Sequence, residues 1–212
     1  MKEDFLKFKL NKQYLQAIKI LEKRLKKEPE NTAFLNELSF FLYHFAFKIK
    51  NQKNFKTFLK KAEITYKKVL KKEPSNPQTL LGLAKVLVLK KPLTKKEKAL
   101  LNFLIKKISF SRKISPLVRT TNLGDIYLTL KNFPLAERCF KKALTLAKKK
   151  KEKMVIYANL LILYFEKKDF QKVYQIIKKI KKIKPTTPKQ KFIFSHLKKE
   201  LKEKGIFKNT IK

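Results

Sequence analysis

Few residues of this chain could act as nucleophiles, metal ligands or proton carriers, and they are widely spaced. The 212 residues include one cysteine, Cys139, two histidines, His44 and His196, and 16 carboxylates. A metal site usually needs its ligands closer together in the sequence than these two histidines are. Paired carboxylates for acid–base catalysis are scarce because carboxylates are scarce. Cys139 precedes Phe140 on a core-facing helix, which favours a buried and inert thiol.

The glycine content argues against a phosphate-binding loop. Such loops need several glycines at fixed spacing, and the whole chain has three. Together with the scattered histidines and carboxylates, this predicts a protein that is not an enzyme, binds no cofactor and holds no metal.

The net charge is +39, with 55 basic residues against 16 acidic ones. A balance of this kind is typical of proteins that bind nucleic acid or an anionic membrane surface. Compositional drift toward lysine would give the same balance without any function. Arginine is preferred for bidentate recognition of phosphates and bases, yet only four of the basic residues are arginine, and this favours drift.

Composition also bears on the class and the compartment. Hydrophobic residues make up 43% of the chain, which excludes a disordered or collagen-like protein. A single cysteine allows no internal disulfide, so a cytoplasmic location is expected. Acids at Glu3 and Asp4 stand where a signal peptide has bases. The most apolar stretch, 32–47, is too short and too polar for a membrane span, so we predict no transmembrane segment.

Apolar residues recur at spacings of three and four along almost the whole chain, and strict alternation is absent. Prolines fall between the periodic segments, where they can start or stop a helix. The segments are about 10 to 20 residues long, which is typical of globular helices. This pattern predicts an all-α protein.

Three junctions between these segments repeat the same order of residues. A lysine-rich helix end, a proline and a polar residue suited to cap the next helix occur at 26–31, 71–76 and 181–187. Self-similarity of this kind is the sequence signature of a repeat architecture.

One segment carries a complete repeat. It reads Leu-Gly-Asp-Ile-Tyr over 123–127, followed by Ala136, Phe140 and Ala143. This resembles the tetratricopeptide repeat, which has L-G-x-x-Y in its first helix and A-x-x-x-F-x-x-A in its second. Gly124 is small, so we expect it to lie where the two antiparallel helices make contact. The next segment matches in register but has larger residues where small ones are usual.

The resemblance implies a right-handed α-solenoid of about five antiparallel helix pairs, closed by a C-terminal capping helix. We expect one domain over 1–204, followed by a basic tail at 205–212. Its repeats are expected at 1–31, 32–76, 77–116, 117–153 and 154–187, with the capping helix at 188–204. The repeat at 32–76 is about 11 residues too long. We expect its first helix to continue through Ile49, with the turn near 51–54.

In tetratricopeptide arrays the first helix of each pair lines a concave groove, and the second forms the convex wall. The predicted first helices of the last four repeats hold four basic and three acidic residues, whereas the predicted second helices hold 30 basic and six acidic. The groove is therefore expected to be nearly neutral and the convex wall cationic. Several lysine runs, including 148–151, are expected in last helical turns, where cations complement the helix dipole.

The family register places a set of partner-binding residues in this groove: Phe40, Tyr43, His44, Lys85, Asn122, Asp125, Asn159, Ile162 and Phe165. Asn122 and Asn159 occupy matching places in successive repeats. In this family an asparagine there can hydrogen-bond a bound peptide backbone; the alternative is an ordinary hydrogen bond between helices or to solvent. The cations that grip a terminal carboxylate in the chaperone-binding subfamily are missing beside both asparagines, so no such clamp is expected.

Three functions remain open from the sequence. The first is a non-enzymatic scaffold or adaptor that binds a peptide or helix of an unidentified protein partner in the groove. The second is association with nucleic acid or ribonucleoprotein through the lysine-rich convex face, with a steep dependence on salt. The third is attachment to an anionic membrane surface by the same lysines.

The apolar residues and asparagines of the groove favour the scaffold. The second helices show no aromatic residues interleaved for base stacking, which disfavours the nucleic-acid alternative. Weak, non-specific binding to nucleic acid or anionic surfaces is then expected as a secondary property.

Overall fold

The computed structural model describes Phe8 and residues 13–49, 51–90 and 92–183. Over these residues the chain forms helices and no strand, so the predicted all-α fold is confirmed. The helices are α1 (Tyr14–Lys27), α2 (Thr32–Ala46), α3 (Gln52–Lys72), α4 (Pro77–Leu89), α5 (Lys95–Phe110), α6 (Pro116–Thr129), α7 (Phe133–Leu146), α8 (Lys150–Glu166) and α9 (Phe170–Ile183). His196, the predicted capping helix at 188–204 and the basic tail lie outside the described residues.

The chain divides into two compact units, an N-terminal unit of residues 1–114 and a C-terminal unit of residues 115–212. In the N-terminal unit each helix from α1 to α5 packs against the next one, and α2 also contacts α4. In the C-terminal unit α6 to α9 pack in the same order, and α6 also contacts α8. Because the connecting loops are short, successive helices are antiparallel. Each unit is therefore built from antiparallel pairs whose first helices touch.

Polar side chains in the loops determine where several helices begin. The side-chain oxygen of Asn31 accepts a hydrogen bond of 3.1 Å from the backbone N–H of Phe34. Asn76 accepts one of the same length from the N–H of Thr79. These are the caps predicted from the repeated junctions, and they are confirmed. Each cap satisfies an N–H that has no partner within its helix, which contributes about 1 kcal/mol.

The long repeat places its extra residues in its second helix, so the prediction that the first helix continues through Ile49 is wrong. α2 ends at Ala46, and α3 is 21 residues long. The physical reason is the cap at Asn51. Its side chain accepts hydrogen bonds from the backbone N–H groups of Lys53 at 2.9 Å and Asn54 at 3.2 Å, which starts a new helix there.

The first turns of α3 pack against aromatic residues at the end of α2 and just after it. The ring centroids of Phe45 and Phe58 are 4.9 Å apart, and those of Phe47 and Phe55 are 5.7 Å apart. Both pairs have the edge-to-face arrangement that aromatic rings prefer. The lengthened second helix thus packs against Phe45 and Phe47, and Phe47 stays 54% exposed.

The lysine run at 148–151 begins a helix and does not end one, which corrects the expectation from the sequence. α7 ends at Leu146, and α8 begins at Lys150. The Glu152 carboxylate accepts hydrogen bonds from the backbone N–H groups of Lys148 at 3.0 Å and Lys149 at 2.9 Å. A carboxylate in the first turn is stabilised by the helix dipole, so Glu152 offsets the lysines around it.

α6 and α7 approach each other closely at Gly124, as predicted. A β-carbon at this position would lie 2.5 to 2.9 Å from three ring atoms of Phe140, which is fully buried. α4 and α3 make a second contact of this kind, which was not expected. A β-carbon at Gly82 would lie 2.2 Å from the Cζ atom of Tyr66. Glycine is therefore required for packing at both positions.

Candidate functional site

The structure brings three of the predicted groove residues together on α2. The ring of His44 lies 4.2 Å from that of Phe40 and 5.0 Å from that of Tyr43, measured between centroids. The spacing of three and four positions places these side chains on one side of the helix. Tyr14 of α1 adds a fourth ring, 5.8 Å from His44. The three predicted residues are half-buried and form a cluster that α1 partly covers.

Lys85 lies on α4, the first helix of the next pair, and is half-buried. The hydrogen bond that joins α2 to α4 does not involve Lys85 and lies near the start of α4. There the Thr79 hydroxyl donates a hydrogen bond of 2.7 Å to the side-chain oxygen of Asn36, and both residues are buried. Asn36 therefore holds two first helices together.

Two predicted site residues are hydrogen-bonded to each other in the C-terminal unit. The Asn159 amide on α8 donates a hydrogen bond of 2.7 Å to the Asp125 carboxylate on α6. Asn122 occupies the matching position in the preceding repeat but has a different partner. Its amide donates to the backbone carbonyl of Val118 on its own helix, also at 2.7 Å. The matching sequence positions therefore have different hydrogen-bond partners.

Asn159, Ile162 and Phe165 follow one another at spacings of three, so each side chain lies beside the next in a stripe that winds around α8. The Ile162 side chain is 37% exposed. Phe165 is half-buried and its ring centroid is 6.3 Å from that of Phe170 on α9. This stripe thus offers an amide and one accessible aliphatic side chain beside a partly covered ring.

Ion pairs on the second helices use a small part of the positive charge. On α7 the Glu137 carboxylate lies 2.8 Å from the ammonium of Lys141 and 3.2 Å from that of Lys167, and it accepts a hydrogen bond of 3.1 Å from the Tyr164 hydroxyl. Burial acts to raise the pKa of Glu137. The three hydrogen bonds outweigh burial and lower that pKa to about 2.

A second ion cluster connects three helices of the N-terminal unit. The buried carboxylate of Glu63 on α3 lies 2.6 Å from the Lys67 ammonium and 2.7 Å from that of Lys90, which also pairs with Glu97. Burial acts to raise the pKa of Glu63, but the hydrogen bonds from the two lysines hold it below its ordinary value. Lys90, one of the four basic residues counted in the predicted first helices, therefore connects the end of α4 to α3 and α5.

A sequence signal at two helix starts was missed. Lys-Lys-Glu-Lys occurs at 95–98 in α5 and at 150–153 in α8, and the glutamate accepts hydrogen bonds from backbone N–H groups before the helix in both. In α5 the Thr94 hydroxyl completes a capping box with Glu97. The spacing of threonine and glutamate could have identified the start of α5 from sequence.

The structure also places the cysteine and the other potential metal ligands of the described residues. Cys139 is half-buried, not fully buried as expected, and burial raises the pKa of its thiol. Within the described residues, no three or more histidine, cysteine, aspartate or glutamate side chains are grouped so that they could hold a metal ion. In the same part of the chain no helix has the length and apolar character needed to cross a membrane.

Comparison with known proteins agrees with these helix pairs. Residues 121–150 match the model of the tetratricopeptide repeat family. The structure is similar to the crystal structure of a thermophilic tetratricopeptide protein from Thermus thermophilus, with a TM-score of 0.69 and 15% identity. That similarity covers 92% of this chain and 95% of the other. No curated protein matches this chain by sequence.

The fold is that of an α-helical tetratricopeptide protein. The predicted resemblance to the tetratricopeptide repeat is confirmed: the family model matches residues 121–150, and the fold is similar over most of the chain. Tetratricopeptide folds generally mediate protein–protein interactions and are typically non-enzymatic scaffolds.

Proposed function

We propose that this chain is a non-enzymatic interaction scaffold that binds a peptide or helix of a protein partner on the faces of its first helices. The observation that carries this proposal is the chemistry of those faces, where aromatic, aliphatic and amide groups are partly exposed. Phe40 and Tyr43 supply aromatic surface in the N-terminal unit, and Ile162 supplies aliphatic surface in the C-terminal unit. Apolar anchors beside a few polar groups are typical of peptide-binding surfaces.

The two asparagines support the proposal through the hydrogen-bonding groups they retain. A side-chain amide has two N–H donors and one carbonyl acceptor. Asn122 and Asn159 each donate a single hydrogen bond, and neither side chain makes another within the described part of the chain. Each therefore has an acceptor and a donor for the backbone of an extended peptide. The cytoplasm is the compartment we propose for this interaction.

The test compares two variants for capture of the partner from the source cell. In the first, Asn122→Ala and Asn159→Ala remove the amides. In the second, Lys142→Glu and Lys179→Glu reverse two exposed charges on α7 and α9 that make no ion pair within the described residues. We expect the asparagine variant to bind a protein partner more weakly, by up to about 1.5 kcal/mol per lost hydrogen bond, which is roughly tenfold in affinity. The lysine variant should bind like the parent chain.

The same capture, repeated with nuclease and at two salt concentrations, separates the alternatives. The affinity for nucleic acid or an anionic surface would be reduced in the lysine variant, unchanged in the asparagine variant, and would fall steeply as the salt concentration rises. That result would contradict the scaffold proposal. Thermal unfolding of the asparagine variant provides the control, because Asn159→Ala also removes a hydrogen bond to Asp125.

A further inference from the structure

A cleft of about 620 Å³ opens in the N-terminal unit where the C-terminal half of α5 and the loop after it meet the start of α4. Leu80 of α4 lies at its floor and is almost fully buried. The cleft lies in the size range of ligand-binding pockets. None of the proposed first-helix binding residues lines it, so a role for this cleft is independent of the proposed function.

Two exposed phenylalanines of α5 line this cleft. Phe103 is 45% exposed and Phe110 is 77% exposed. They are seven positions apart, which places them on the same side of the helix, two turns from each other. A single exposed apolar residue is ordinary, but two that share one concave cleft form a patch of the kind that marks an interaction site. The second helices were expected to carry no aromatic residues interleaved for base stacking, yet these two phenylalanines lie exposed among the lysines of α5.

Four cations surround the two phenylalanines: Lys106, Lys107, Arg112 and Lys113. Within the described part of the chain none of the four forms an ion pair, in contrast to Lys90 and Lys141, which pair with glutamates. The pKa of the Glu73 carboxyl is lowered mainly by hydrogen bonds from Thr32 and Asn76, and the charge of Lys113 adds least to this lowering. The cleft therefore combines an apolar floor with positive charge that is not held in ion pairs among the described residues.

We infer that this cleft binds an acidic segment of a protein partner. In this arrangement a large apolar side chain of the segment packs between Phe103 and Phe110, and its carboxylates face the four cations. Charge complementarity argues for this occupant over a second copy of the chain, which carries a net charge of +39. The chain's own residues 184–212 are also a poor match, since they contain nine lysines and two glutamates.

The position of Lys107 favours an acidic protein segment over single-stranded nucleic acid. Its ammonium lies 5.5 Å from the ring centroid of Phe103, over the ring face. A base stacking on that face would have to displace this cation, whereas an apolar side chain can contact the ring edge beside it. The same cation is then in position to pair with a carboxylate next to the apolar side chain.

Fluorescence anisotropy tests the inference with the full chain and a fluorescein-labelled, amidated peptide that has a Leu-Phe pair between runs of aspartate. Phe110→Ala removes an exposed apolar contact, and Arg112→Glu with Lys113→Glu reverses the charge of the rim. We expect each variant to bind the peptide roughly tenfold more weakly or worse. The matched controls lie on α3: Ile64→Ala, also an exposed apolar residue, and Lys56→Glu with Lys60→Glu, which change the net charge equally. These should bind within about twofold of the parent.

Several outcomes would overturn the inference. Equal losses in the α3 controls would mean that the peptide binds by general charge attraction. Equal binding of a peptide with Ala-Ala in place of Leu-Phe would mean that no apolar side chain enters the cleft. An oligothymidylate that binds more tightly than the peptide, and loses affinity on Phe110→Ala, would show that the cleft is a nucleic-acid site.

Discussion

The contact between Gly124 and Phe140 sets the separation of α6 and α7. Any β-carbon at residue 124 would lie within 3 Å of the buried phenylalanine ring. Two effects oppose each other when glycine is replaced here. A helix-forming residue gains up to about 1 kcal/mol in helix propensity. Overpacking a well-filled core costs about 1 to 3 kcal/mol, so the steric term dominates for a large side chain.

Gly124→Leu should therefore lower the free energy of unfolding by about 1 to 3 kcal/mol, measured by urea denaturation followed by circular dichroism. The control is a double-mutant cycle of Gly124→Ala with Phe140→Leu. The smaller leucine leaves space for the new methyl group, so the double variant should lose less stability than the two single variants together. A Gly124→Leu variant as stable as the parent would contradict the close approach of these helices.

Glu137 gives the C-terminal unit a predictable response to acid. Its pKa in the folded chain is about 2, below the ordinary value of 4.5. Over the range between these values the unfolded state binds more protons than the folded state, so the free energy of unfolding falls as the pH decreases. Its side chain is only 15% exposed, but its lysine partners are accessible to solvent, which screens the interaction. The contribution at neutral pH is therefore about 1 kcal/mol.

We expect Glu137→Gln to be less stable than the parent at pH 7 and the difference between them to vanish as the pH falls from about 4.5 to about 2. Thermal unfolding across this range measures the difference. Glu166→Gln is the matched control, since Glu166 is exposed and has no ion pair within the described residues. A constant difference between the Glu137→Gln variant and the parent at every pH would contradict the role of the ionised carboxylate.

Two helix ends share an unusual backbone conformation that involves lysine. Lys131 follows α6 with a φ of 60°, and Lys168 follows α8 with a φ of 58°. In both turns the next backbone N–H bonds to a carbonyl five residues earlier, from Asn132 to Tyr127 and from Asp169 to Tyr164, each at 2.9 Å. Glycine is the usual residue here because a β-carbon strains the left-handed conformation by about 1 to 2 kcal/mol.

Lys131→Gly removes this backbone strain, but glycine also has greater conformational entropy in the unfolded chain, which offsets part of the gain. The free energy of unfolding should therefore rise by roughly 1 kcal/mol. Lys131→Ala is the control, because it removes the same charge but keeps the β-carbon. Urea denaturation compares the two. If alanine stabilises as much as glycine, the gain comes from relief of charge repulsion and the backbone strain is not the cause.

The helix pairs were predicted best where a local sequence motif coincides with a packing contact between two helices. The repeat with Gly124 and Phe140 was placed correctly because a small residue opposite a large ring determines the helix contact. The boundary between α2 and α3 was misplaced because apolar residues continue past Ala46, and periodicity does not show that Asn51 starts a new helix. The start of α8 was missed because lysines at 148–151 suit a helix end by charge, whereas Glu152 fixes a helix start there by hydrogen bonding.

The sequence placed the candidate site residues on helices, but it could not show which side chains contact one another. Spacing alone puts Phe40, Tyr43 and His44 on one side of α2. It does not show that Tyr14 of another helix lies against His44. Likewise, because Asn122 and Asn159 occupy matching repeat positions, the sequence predicted the same hydrogen-bonding role for both. Their partners differ because a hydrogen bond depends on the neighbouring helix, and only Asn159 reaches a carboxylate on the helix beside it.

The charge of the whole molecule exceeds what its ion pairs can neutralise. Even if each of the 16 acidic residues paired with a base, 39 positive charges would remain. Folding brings these charges closer together than they are in the unfolded chain, so their mutual repulsion opposes the folded state. Salt screens this repulsion over a distance of about 10 Å at 0.1 M. It also weakens surface ion pairs, each worth at most about 1 kcal/mol, but these are far fewer than the unneutralised cations.

The stability of the chain should therefore rise with ionic strength, in contrast to a protein held together by surface ion pairs. Urea denaturation in low and high sodium chloride should show a gain on the order of 1 kcal/mol. Equal concentrations of potassium chloride should give the same gain, because screening depends on ionic strength and not on the identity of the ion. The Lys142→Glu and Lys179→Glu variant lowers the net charge by four, so its stability should depend less on salt. A decrease in stability with salt would mean that the ion clusters around Glu63 and Glu137 outweigh the repulsion among the remaining lysines.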